Sequence, residues 1–198
     1  MIGITSSCAL HHKTQGSPES GVWRNMNRRW RISFLLFFFG CLPACRSQTI
    51  PDTHAVDLLG SPVSIPRDLH SKYSVLIVGF SRSSGNPSRD WSKGVAAAMA
   101  SRPDTASYVL PVLEGAPHIF RGTIERGMRK DLSPAQQKSY LLIFEKEREW
   151  KQTVSFDRPD DAYVLLVDQA GKIIWKTHGA ASEDRIRELL KQLDHAPR

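Results

Sequence analysis

Cysteine is absent from most of this chain. Three occur in 198 residues, Cys8, Cys41 and Cys45, and the 153 residues after Cys45 hold none. A span without cysteine has no disulfide, no thiolate nucleophile and no thiolate metal site. Thiol redox chemistry is therefore excluded from everything beyond Cys45. Long hydrophobic runs are lacking too. The apolar run Ile32 to Leu42 has 11 residues, whereas a bilayer-spanning helix needs about 20. There is no glycine-rich phosphate loop. The histidines, His11, His12, His54, His70, His118, His178 and His195, show no paired ligand spacing, so neither a metal nor a cofactor is expected. Ser83 and Ser84 have no histidine placed by sequence to activate them. Asp160 and Asp161 are adjacent, which suits a turn better than an acid/base pair. Excess charge is missing from the part that folds. The formal net charge is +7, but Lys13, Arg24, Arg28, Arg29 and Arg31 all precede the apolar run. From Arg46 onward, 22 Lys and Arg face 19 Asp and Glu, a net +3. That balance gives no reason to expect a nucleic-acid partner.

The N-terminal part reads as address rather than fold. Residues 1–25 have no hydrophobic periodicity and are expected to be an unstructured extension, with Met26 as an alternative start. From Met26 the chain runs MNRRWR, ISFLLFFFGCL, PAC: a charged segment, an apolar segment and a small-residue site. Leu42-Pro43-Ala44-Cys45 resembles the bacterial lipobox, a family in which the cysteine is lipidated and becomes the new N-terminus. Residues 26–45 are then a lipoprotein-type signal peptide and Cys45 a membrane anchor. An ordinary signal peptide cut nearby and an uncleaved anchor are the competing readings. The resemblance implies a lipid-anchored protein of the cell envelope, on the periplasmic or extracytoplasmic face. Residues 46–53 would be a tether, and 54–195 the folded domain.

That domain is built around Tyr73 to Ala100. YSVLIVGF has the pattern of a strand buried on both faces. After the polar loop SRSSGNPSRDW comes a helical pattern that places Trp91, Val95, Ala98 and Met99 on one face, with Asn86 as its expected cap and Pro87 in its first turn. Short strands are expected before it, at His54–Leu58 and Pro62–Ile65, around Gly60-Ser61. Behind it, Ser107–Leu113 reads as a strand and Ile119–Lys130 as a helix with Phe120, Ile124 and Met128 on one stripe. The bases Arg121, Arg126, Arg129 and Lys130 are a solvated face or a site for an anion or acidic partner. Ser133-Pro134-Ala135-Gln136 is a capping box. Residues 131–160 are least determined, with a strand at Leu141–Phe144 and a helix at Glu145–Thr153. Ala162–Val167 and Lys172–His178 read as two strands around the Asp168–Gly171 turn. Ser182 caps a last helix with Ile186, Leu189, Leu190 and Leu193 on one stripe.

This order, a βαβα half followed by a ββα half, resembles the thioredoxin-like superfamily over about Val56 to Leu193. The resemblance implies a three-layer α/β fold with a central mixed sheet and helices on both faces. In the thiol oxidoreductases of that superfamily, Cys-x-Pro-Cys occupies the first turn of the first helix. Here those positions hold Gly85-Asn86-Pro87-Ser88. A peroxiredoxin cysteine would fall near Ser88 or Arg89, and the superfamily's cis-proline near Ala162 or Tyr163. The copper-delivery members use a cysteine pair that is also missing. Trp91, followed by Tyr163-Val164, Leu166-Val167-Asp168, Gly171, Ile173 or Ile174 and Trp175, resembles a redox-inactive branch, the mitochondrial assembly factors of the ATP synthase.

Two functions follow. The first is a membrane-tethered, redox-inactive protein that acts by binding a protein partner, in assembly of a membrane complex. Its candidate surface is Arg82, Ser84, Asn86, Arg89 and Trp91, at the loop where the relatives hold their thiols. The second is an enzyme of non-thiol mechanism, with Arg82, Asn86 and Arg89 binding an anion at a helix N-terminus, or a degenerate relative of the peroxiredoxins and thiol oxidoreductases. The bland reading of the two arginines pairs them with local acids such as Asp90 or Asp161, and that of Trp91, Tyr163 and Trp175 is simple core.

Overall fold

A computed structural model describes residues 48–196. The expected extension 1–25 and the expected signal peptide 26–45, with Cys45, lie outside the described residues. Of the expected tether, Gln48 to Ile50 are part of the domain. Ile173 N–H donates to the Gln48 carbonyl at 2.8 Å, Ile50 N–H donates to the Gly171 carbonyl at 2.9 Å, and Ile50 is buried.

The chain forms β1 (Thr53–Asp57), β2 (Pro62–Ile65), β3 (Tyr73–Gly79), α1 (Gly85–Met99) and β4 (Thr105–Pro111). It continues through α2 (His118–Arg129), α3 (Pro134–Lys138), β5 (Leu141–Ile143) and α4 (Glu147–Val154), and ends with β6 (Tyr163–Asp168), β7 (Ile173–His178) and α5 (Glu183–His195). One sheet has the order β4-β3-β6-β7, with β3 and β4 parallel and the other pairs antiparallel. A second sheet has the order β2-β1-β5. Parallel bridges Val109–Tyr140 and Val112–Ile143 join β5 to β4.

The pleat divides the core. From β3, Leu76 and Val78 enter one cluster; Val75 and Ile77 enter the other. From β6, Tyr163, Leu165 and Val167 go to the first, Val164 and Leu166 to the second. The first is closed by Trp150 and Val154 of α4 together with Ala55, Ile65 and Leu69. The second is closed by Trp91, Val95 and Met99 of α1 and by Leu189 and Leu193 of α5. Helices thus cover both faces of a mixed sheet, in the three layers expected. The fully buried strands β3 and β6 explain the near-continuous apolar runs that mark them in the sequence.

Three local expectations are corrected. β4 starts and stops two residues early because Pro111, lacking an N–H, closes the strand rather than occupying its middle. α1 starts before Asn86, with Ser84 in the cap position. In α2, Ile124 and Met128 do turn inward, but Phe120 is 55% exposed. Arg121 takes the inner place instead, with its guanidinium 4.5 Å from the centre of the Phe144 ring and its Nε donating to the Ala116 carbonyl.

Candidate functional site

One end of the β4-β3-β6-β7 sheet gathers the residues of interest. The C-terminal ends of β3, β4 and β7 lie there with the N-terminal end of β6, since β6 runs against its neighbours. The loop from Phe80 to Ser84 leaves β3 at this end and delivers α1.

Serines hold that loop closed. Ser84 Oγ accepts from Ser81 N–H at 3.3 Å and donates to the Ser81 carbonyl at 2.7 Å, while Ser84 N–H donates to Ser81 Oγ at 3.1 Å. Ser84 and Ser88 are both buried. They pack on Gly79, where a Cβ would stand 2.7 Å from Ser84 Oγ and 3.3 Å from Ser88 Oγ. Ser88 Oγ has no hydrogen-bond partner. Ser81 Oγ also reaches Asp160 Oδ1 at 3.3 Å.

The first turn of α1 offers little to an anion. Gly85 N–H donates to the Arg82 carbonyl, Pro87 has none, and Ser88 N–H donates to the Ser84 carbonyl. Only Asn86 N–H is left open. Arg82, Asn86 and Arg89 are exposed, and among the described residues neither arginine forms an ion pair. Asp161 is engaged elsewhere. Burial raises the Tyr140 phenol above its ordinary pKa, and the positive charge of Arg89 opposes this. Trp91 is fully buried, and its indole N–H donates to the Gly179 carbonyl at 2.9 Å. Of the expected surface, then, Arg82, Asn86 and Arg89 reach solvent. Ser84 and Trp91 support it from beneath.

Sequence reasoning missed the second half of the site, built on Tyr163. Its hydroxyl accepts from the N–H groups of Asp157 and Arg158, at 3.0 and 2.8 Å, and reaches Asp157 Oδ1 and the Arg158 carbonyl. This ties down the loop before β6, where the superfamily's cis-proline was expected. Among the described residues the one cis peptide is Ile65-Pro66, between β2 and β3. Tyr163 pairs with His178 across the strands and the rings stack, 5.3 Å apart. His178 Nδ1 meets Asp161 Oδ2 at 2.8 Å. Asp161 lies in the bend just before β6, with its N–H donating to the Arg158 carbonyl. No local signal pairs these residues: the β6–β7 register brings His178 beside Tyr163 and within reach of Asp161.

Phe80 and Phe156 complete this half. α4 ends with Ser155 in the left-handed conformation, φ 59°. Phe156 N–H donates to the Lys151 carbonyl and Ser155 N–H to the Gln152 carbonyl, the two bonds of a Schellman cap. The cap turns Phe156 onto Phe80 and Tyr163, with ring centres 5.0 and 5.7 Å away. Lys151 stands over Phe156 at 4.8 Å and pairs with Glu147. An open cleft runs from here past Arg148 to Glu114 and Gly115. No group of three or more His, Cys, Asp or Glu among the described residues could hold a metal ion, and none of their helices is long and apolar enough to cross a membrane.

The fold defines the class. Solved structures similar to this chain are thioredoxin-like. They include the thioredoxin domain of a thiol-disulfide oxidoreductase from Bacteroides vulgatus, 16% identical, covering 74% of this chain and 96% of that one, TM-score 0.52. Copper-bound yeast Sco1 is 15% identical, covering 76% and 95%, TM-score 0.50. A putative electron transfer protein from Aquifex aeolicus is 13% identical, covering 74% and 95%, TM-score 0.55. At such identities the likeness is one of fold. No curated protein matches the chain. The family model described as ATP10 protein matches residues 41–195. The chain belongs to that family, the thioredoxin-like assembly factors of the ATP synthase.

Proposed function

We propose that this protein assists assembly of a membrane complex by binding a partner at the end of the sheet that carries Phe80–Arg89 and Tyr163, without thiol chemistry, while a lipid on Cys45 holds it at a membrane. Arg82, Asn86 and Arg89 contact the partner; Ser84 and Trp91 hold them in place. One observation carries this reading. The helix turn at which the thiol oxidoreductases place Cys-x-Pro-Cys holds Gly85-Asn86-Pro87-Ser88, and the loop that delivers it is held closed by hydrogen bonds between Ser81 and Ser84, which supports a fixed contact surface without a thiol. The exposed, unpaired guanidinium groups beside it favour carboxylates.

Membrane tethering rests on the run ending in Leu42-Pro43-Ala44-Cys45, and with it a place in the cell envelope. Cys45→Ser is expected to release the protein from the membrane fraction or leave an unprocessed precursor. A Ser variant still processed and membrane-bound would remove the lipid from the account.

The binding reading is tested by crosslinking and co-purification of the full chain from its own membranes. One stoichiometric protein partner is expected. Arg82→Ala with Arg89→Ala is expected to fold with near-normal stability and lose that partner. Recovery of no partner, with turnover of a small anionic substrate by the purified chain, would favour the non-thiol enzyme instead.

A further inference from the structure

The outer face of α2 takes no part in the site above. None of its residues is fully buried. Arg121, Ile124, Glu125, Met128 and Arg129 form the half-buried side. Ile119, Thr123, Arg126 and Lys130 therefore share the opposite face, and all are exposed. Ile119 is 81% exposed, beside Phe120 at 55%. Arg126 has no carboxylate: its Nε donates to the Gly122 carbonyl and its Nη2 to the Thr123 hydroxyl. The only acid of the helix, Glu125, is 3.6 Å from Arg129. An apolar pair at one end of an outward face and uncompensated cations along it is a surface with a missing complement.

We infer that this face docks a partner protein through an acidic segment that also carries apolar side chains. An anionic lipid surface offers similar chemistry, but this face begins far along the sheet from the point where the chain enters the domain. The chain enters at Gln48–Ile50, which is bonded to Gly171 and Ile173 beside the β6–β7 turn. α2 begins at the opposite end of the sheet. Val112 N–H donates to the Gly79 carbonyl and Leu113 N–H to the Ile143 carbonyl, just before the helix. The six residues of β6 separate the two levels by about 20 Å. A bilayer that met the domain at its entry would lie about that distance along the sheet from Ile119 and Phe120, which favours a protein partner for this face. The inference rests on the binding reading and adds to it a second contact surface with its own partner chemistry.

Benzoylphenylalanine in place of Phe120, and separately of Asn86, in the full chain tests this by photolysis in native membranes. The Phe120 probe is expected to capture a protein segment of net negative charge. Arg126→Glu with Lys130→Glu is expected to lower that yield by about tenfold, and Lys substitutions in the captured acidic segment to restore it. Capture of lipid, binding of the purified domain to phosphatidylglycerol-containing vesicles but not to phosphatidylcholine ones, or capture of a segment without acidic residues would overturn the assignment. Capture from Asn86 alone would sink the α2 surface and leave the binding reading standing. Capture from neither would take both down.

Discussion

Ser84 and Ser88 stand one turn apart at the start of α1, both buried, and only Ser84 has partners. A satisfied buried hydroxyl contributes; an unsatisfied one costs about 1–3 kcal/mol in desolvation. Ser84→Ala is therefore expected to destabilise by about 1–2 kcal/mol, whereas Ser88→Ala should be neutral or stabilising. Urea denaturation of both variants checks this, and an equal loss from each would contradict it. Tyr163→Phe leaves two loop N–H groups without their acceptor and is expected to cost about 1–3 kcal/mol. Hydrogen exchange should then rise at Asp157 and Arg158 before it rises in β6; unchanged exchange there would remove the hydroxyl from its role. At this scale the sequence was informative about burial and silent about partners. The runs around Tyr163 and Trp91 mark them as core. Nothing local reveals that one hydroxyl holds the next loop, or that the Trp91 indole meets Gly179 across 88 residues.

The elements best read from sequence are those whose signals are local. The Asp168–Gly171 turn forms as expected, with Asp168 Oδ1 accepting from Ala170 and Lys172 and Gly171 at φ 79°. The Ser133–Gln136 capping box forms both its bonds. α4 was harder, because its end depends on Ser155 taking a left-handed conformation that nothing in SFDRP announces. Replacing it tests the cap: Ser155→Gly is expected to raise stability by up to about 1 kcal/mol, even though the Lys176–Ser155 contact is lost. A fall in the urea midpoint would show the cap geometry to be misassigned. The connection after α1 is tied to α5 by Arg102 and Asp194, 2.7 Å apart. The Arg102 hydrogen bond, aided by its charge and that of His195, holds the Asp194 carboxyl below its usual value of 3.8. A depressed carboxyl stabilises the fold above its unfolded value, and that contribution fades as the pH falls below 3.8. Arg102→Ala is expected to move the NMR titration of Asp194 upward and to flatten this part of the acid limb. An unmoved titration would mean the pair is not formed in solution.

Across the whole molecule, the order of elements made the fold legible, and the absence of cysteine beyond Cys45 showed that the superfamily's thiol positions are filled by other residues. The functional end was only half legible. Arg82, Asn86 and Arg89 fall in one loop and helix turn, so sequence adjacency groups them. The Tyr163, His178, Phe156 and Phe80 half draws on β3, α4, β6 and β7, and only the register brings those together. The basic face of α2 was legible as a solvated face or a site for an acidic partner, but its apolar end was not, since Phe120 completes an apolar stripe on paper and yet is exposed. We propose that the Phe80–Arg89 end of the molecule is a docking surface used in assembly of the ATP synthase. Depleting the chain from its own cell and measuring assembled ATP synthase against free subunits on native gels tests that claim most directly. The expected result is less assembled complex, normal turnover in each complex that does form, and recovery with the intact chain but not with the Arg82→Ala, Arg89→Ala double variant. An undiminished amount of assembled complex in depleted cells would contradict it.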